Sequence, residues 1–114
     1  MADTKRIPSL LAFGPYSTRQ ITLLSGQNLK AGTLLGKITT GGKYTESTAT
    51  AIDGSETPDL VLAEDCDASS GDKVTLAYET GGFNVDEMTI HVTHTVASIR
   101  EGLRLKGILL ANVD

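Results

Sequence analysis

The chain has no tryptophan, one cysteine, two histidines and three prolines in 114 residues. With Cys66 as its single thiol it can form no intrachain disulfide, which sets aside the secreted disulfide scaffolds and suits a reducing compartment. No apolar run approaches the roughly 18 residues of a membrane-spanning helix. Lys5 and Arg6 precede a few apolar residues, but Pro8, Gly14 and Pro15 interrupt them before a signal-peptide core could form. Positive charge is also in short supply. The net charge of −4 gives no general attraction to nucleic acid or to an anionic membrane, so neither is expected as a partner. Two phenylalanines and three tyrosines leave few large groups for a core, which makes burial through subunit association attractive.

What the chain does have is glycine: 12 residues, well above the usual share of about 7%. Many turns and short strands follow. The stretch SGQNLKAGTLLGKI, Ser25 to Ile38, sets Gly26, Gly32 and Gly36 at turn positions around Leu29, Leu34 and Ile38. Ile21 and Leu23 share one strand face, Leu34, Gly36 and Ile38 share another, and Val74, Leu76 and Tyr78 alternate with Lys73, Thr75, Ala77 and Glu79. Leu60 to Ala63 is a continuous apolar run between Pro58-Asp59 and Glu64-Asp65, the pattern of a strand buried on both faces. The polar stretch from Gly41 to Asp59 is long enough to be a functional or mobile loop, with a tight turn at Asp53-Gly54.

The spacing predicts one helix, from about Val96 to Lys106. Val96, Ile99 and Leu103 recur on one face, Thr95 is the N-cap, basic residues sit in the last turns and Gly107 suits the left-handed cap. The β-branched run Thr89 to Thr93 reads as a short strand rather than as a backward extension of that helix, and Ile108 to Leu110 as a last strand. At the other end, residues 1–19 form an extended arm, because Pro8, Gly14 and Pro15 forbid a long helix among Ile7, Leu10, Leu11, Phe13 and Tyr16. The expected organisation is a flexible arm, residues 1–19, ahead of one mainly β domain, residues 20–114.

No residue pattern points to catalysis. His91 and His94 have a spacing that could chelate a metal from a helix, but no cysteine pair or second histidine motif supports it, and on a strand they face opposite ways. Glu64, Asp65, Asp67 and Asp72 lack the glycine and closing glutamate of a calcium loop and read as a solvated acidic turn, with Cys66 a small, partly buried residue inside it. Gly41-Gly42 and Gly81-Gly82 read as turn glycines. Neither a cofactor nor a metal is expected. A small carrier module of the biotinyl or hammerhead kind would use similar glycine turns. It needs an exposed lysine flanked by methionines, and Lys43 has Gly42 and Tyr44 as neighbours.

The succession SGQNLKAGTLLGKI, GGKY, DGSE, LVLAEDCDASSGDKVTLAYETGGFN and TVASIREGLRLKGILL resembles the lambda-type head decoration proteins of tailed bacteriophages, in order and spacing, from Ile21 to Leu110. The resemblance implies a non-enzymatic component of the virion, made in the host cytoplasm. It further implies a small β-clip-like domain that binds the major capsid protein as a homotrimer on the outside of the expanded head and cements it against the pressure of packaged DNA. It also implies that the arm orders on the shell by joining capsid sheet structure. The arm residues expected to engage the capsid are Ile7, Pro8, Leu10, Leu11, Phe13 and Tyr16.

Overall fold

The computed structural model describes residues 11–111. Its elements in chain order are β1 (Ala12–Leu23), β2 (Asn28–Leu29), β3 (Leu34–Lys37), β4 (Tyr44–Glu46), β5 (Pro58–Leu62), β6 (Cys66–Asp67), β7 (Lys73–Asn84), a 3-10 turn (Val85–Glu87), α1 (Val96–Leu105) and β8 (Ile108–Ala111). The domain is mainly β with one short C-terminal helix, as expected.

Two 12-residue strands dominate. β1 and β7 run antiparallel from Leu23 opposite Lys73 to Ala12 opposite Phe83. On the other side of β7, β5 pairs at Val61–Tyr78 and Leu62–Ala77, and β8 adds in parallel along Gly81–Asn84. β3 lies between β5 and β4, antiparallel to both, and β4 meets β1 at Leu23–Tyr44. The five strands β1, β4, β3, β5 and β7 therefore close on themselves, while β2 and β6 make a small separate ribbon.

One wall of that ring separates two cores. Leu35, Leu60 and Leu62 point inward to meet Ile21, Leu23, Tyr44, Ala68 and Ala77. Leu34 and Val61 point outward to meet Phe83, Ile99, Leu103, Ile108 and Leu110, a second core covered by α1 and β8. Period-two alternation sends neighbouring residues to opposite faces, so a strand with a core on each side must be apolar throughout. The run at Leu60 to Leu62 is that strand, buried on both faces as its composition predicts.

Three expectations are corrected. On β7 the alternation holds but the inner face is the other one: Thr75 and Ala77 are 4% and 0% exposed, while Val74 and Leu76 are 62% and 41% exposed. The ring interior is already filled by leucines and Tyr44, so the positions facing it take small side chains. Residues 89–93 form no strand beyond an isolated bridge from Thr89 to Thr33. There, the Thr93 N–H donates to His91 Nδ1 (3.2 Å) and the His94 N–H to the His91 carbonyl (2.9 Å), a local turn that competes with strand pairing. Of the two readings of Gly36 the strand face holds and the turn does not: a Cβ there would collide with the Ser55 carbonyl, so its absence lets the 47–57 loop lie against β3.

The helix matches its sequence signals closely. Thr95 accepts from the Ser98 N–H (3.1 Å) while Ser98 Oγ accepts from the Thr95 N–H (3.0 Å), a reciprocal capping box. Ile99 and Leu103 bury its apolar face, and Gly107 ends it at φ 91°.

Leu62→Ala empties the inner core and should lower stability by about 2–5 kcal/mol in urea denaturation. Ile52→Ala, at a side chain 97% exposed, should change it by less than about 0.5 kcal/mol.

Candidate functional site

Of the six residues expected to form the arm's contact set, Ile7, Pro8 and Leu10 lie outside the described residues. Leu11, Phe13 and Tyr16 are described, and residues 12–19 belong to β1, so they are part of the sheet here. Their stretch of the ladder is irregular. The register shifts between Phe13 and Ser17 and again between Ser17 and Thr18, around Gly14 at φ 71° and the ring-locked Pro15.

Aromatic and glycine contacts hold this irregular stretch to β7. The Asn84 N–H donates to the Leu11 carbonyl (2.8 Å), and Leu11 packs beside the outer core. The Phe13 ring lies over Gly82, its register partner. Tyr16 is 57% exposed, yet it sits against Gly81 and meets the Tyr78 ring edge-on with centroids 5.1 Å apart. Tyr78 in turn packs on Phe83 at 5.1 Å. Burial first, and then Tyr16, push the Tyr78 phenol above its ordinary pKa. Ser17 Oγ and Thr80 Oγ1 share a hydrogen bond of 2.7 Å, and Arg19 Nε pairs with Glu79 (3.3 Å), so side chains stitch the ladder as well.

Gly81 and Gly82, expected as turn glycines, lie inside β7. Sequence reasoning missed their role. The signal available was their place in one strand-length run, YETGGFN, since glycine within a strand marks a close approach by another group.

The remaining polar candidates are structural. Asp65 accepts from the Ala31 N–H (2.9 Å), and Asp72 accepts from the Ser25 N–H (2.8 Å) and pairs with Lys43 Nζ (2.6 Å). Asp67 is bonded by Ser69, and Glu64 accepts from the Thr75 hydroxyl (3.0 Å). The acidic turn thus pins loops to one another, and the ion pair to Asp72 ties Lys43 down instead of presenting it as a carrier lysine. Ser47 Oγ donates to the Ser55 carbonyl (2.7 Å) and lies 3.0 Å from His94 Nε2. With its one proton so used, Ser47 accepts from the His94 Nε2–H. Among the described residues no three of His, Cys, Asp and Glu come together in a way that could hold a metal ion. No helix among them is long and apolar enough to cross a membrane.

The described surface thus offers an aromatic clasp where the chain joins the body, and the carboxylates of its acidic turn are engaged in holding loops. A model of the family of bacteriophage lambda head decoration protein D matches residues 10–105. The chain belongs to that family. It is a structural protein of the phage virion, located on the head, where it decorates the capsid. No curated protein matches the chain in a sequence search.

The electrostatics of this decoration protein give it two acid-sensitive steps. Burial first, and then His91, lower the His94 pKa from its ordinary 6.5, so the unfolded chain binds that proton more readily. The associated stability is present above pH 6.5 and falls away as the pH drops from there to the folded value. Hydrogen bonds hold four carboxyls below their ordinary 3.8: Asp53 and Asp67 chiefly through the Ser55 and Ser69 hydroxyls, Asp65 through the Ala31 N–H and Asp72 through Lys43. Their contribution is present above 3.8 and is lost as the pH falls through the folded values. Thermal melts from about pH 8 to about pH 2 should therefore show a small first decline below 6.5 and a larger one below 3.8. His94→Gln, which keeps a donor for Ser47, should remove only the first.

Proposed function

We propose that this decoration protein binds the outer surface of the expanded head as a homotrimer, grips the major capsid protein with the chain N-terminal to β1, and cements the shell against the pressure of packaged DNA. The observation that carries the reading is the open outer edge of β1. Among the described residues, Ala12 to Thr22 pair only with β7, and β1 first meets a strand on its other side at Leu23. An open edge presents a row of backbone donors and acceptors to which an extended segment can add, with alternate side chains filling pockets. Just ahead of that edge stand Ile7, Pro8 and Leu10, apolar residues with nothing in their composition to form a helix.

The proposed arm is thus residues 1–10, shorter than the sequence alone suggests, with Leu11, Phe13 and Tyr16 at its root. Ordering such a segment costs about 1–2 kcal/mol per residue, so one arm binds weakly. Three arms on one trimer bind at high effective concentration after the first has engaged. Self-association also has apolar surface to cover, Val74 and Leu76 on the outer face of β7 among it. A net charge of −4 suits a protein on the outside of the shell, away from DNA.

Sedimentation of the purified protein should give a trimer, or a monomer that becomes trimeric on the shell; a stable dimer would contradict the reading. Deleting residues 1–10 leaves every described strand intact and should leave the thermal transition in place. It should weaken binding to expanded heads at least about tenfold, equivalent to ~1.4 kcal/mol, as measured by occupancy in electron micrographs. Unexpanded heads should stay bare.

A further inference from the structure

We propose that Gly82 is a positioning residue for shell engagement: it seats the Phe13 ring on β7 and so sets the direction in which the chain leaves the body ahead of Leu11. The inference rests on the arm reading above. A Cβ at Gly82 would stand 2.5, 2.9 and 3.0 Å from three atoms of the Phe13 ring, nearer than packed atoms approach. The flat ring therefore occupies the space that any other residue at position 82 would take. The neighbouring position repeats the device. At Gly81, φ 140°, a Cβ would stand 2.8 Å from the Tyr16 Cβ. Two aromatic residues thus settle on two consecutive glycines, one on each side of the irregular Gly14-Pro15 stretch.

The geometry explains why the seat is needed. Gly14 and Pro15 break the register, so backbone pairing alone does not hold residues 11–13 in line with the rest of β1. Beyond the break the ladder resumes at Ala12–Phe83 and Phe13–Gly82, the Asn84 N–H bonds the Leu11 carbonyl, and the Phe13 ring on Gly82 adds a side-chain contact to that short stretch. A segment whose direction is fixed loses less freedom on docking, and three directions fixed alike let one trimer engage three sites together.

Gly82→Ala tests the idea with little risk to the fold, because the added methyl meets a half-exposed side chain and not backbone. The variant should keep the wild-type thermal transition, shift the Phe13 ring resonances in the free protein, and bind expanded heads about tenfold more weakly. In a Phe13→Ala background, where no ring stands in the way, the same substitution should change affinity by less than about twofold. Should Gly82→Ala bind as the wild type does, or should its loss be equal in both backgrounds, the seat does not position the arm. Phe13→Leu leaves the backbone untouched and removes the flat ring; wild-type binding by that variant overturns the proposal as well. Deletion of residues 1–10, run in parallel, separates the two ideas. A truncated protein that binds fully overturns the arm reading and this proposal with it, whereas loss on truncation beside full binding by Gly82→Ala overturns the positioning role alone.

Discussion

The fold depends on the antiparallel ladder between β1 and β7. At its Leu23–Lys73 end it closes the five-stranded ring and encloses Ile21, Leu23 and Ala77 in the inner core. At its Ala12–Phe83 end it runs past the ring, where β7 takes β8 as a parallel neighbour and Phe83 anchors the outer core. The contacts join residues about 50 to 70 positions apart in sequence, so closing them carries a loop-entropy cost that only burial on both sides of the sheet can offset. A chain with five Phe and Tyr and no Trp meets that demand with leucines placed on alternating faces of shared strands. The same wall of β3 and β5 serves both cores, so each apolar residue of that wall buries area against one core or the other.

Much of this organisation was legible before any coordinates, and what was legible was local. The α1 boundaries follow from Thr95 and Gly107, whose signals act within a few residues. The doubly buried β5 follows from an uninterrupted apolar run. Which face of β7 points inward was not legible, because alternation defines two faces and the space inside the ring decides between them. That space is set by Leu35, Leu60 and Leu62, far away in sequence. The strand expected at 89–93 failed for a related reason: β propensity needs a neighbouring strand, and among the described residues none is there beyond Thr33.

The glycines show the same division between local and distant causes. Gly107 caps a helix and could be read from its position behind the last basic turn. Gly36 and Gly82 could not, because what they make room for is the Ser55 backbone and the Phe13 ring, brought in by the tertiary fold. An absent side chain leaves no pattern of its own in the sequence. The arm boundary carries a comparable ambiguity: Gly14 and Pro15 read as features of an extended arm, and in the fold they make an irregularity inside a long strand whose other end lies in the ring.

Among the described residues β1 has an open edge of eleven residues; such an edge invites indiscriminate pairing, and β1 carries features that restrain it. Pro15 removes one backbone donor, the irregular stretch around Gly14 breaks the straight run needed for continuous addition, and Arg19 places a charge along the strand. Ser17, Thr18, Gln20 and Thr22 keep most of the remaining side chains polar. These features penalise a long, flat, apolar partner more than a short strand that ends near the irregularity. A decoration protein has to remain soluble at high concentration and yet pair with one shell. An edge that is open but interrupted meets both conditions, because the penalty on long partners is built into the backbone.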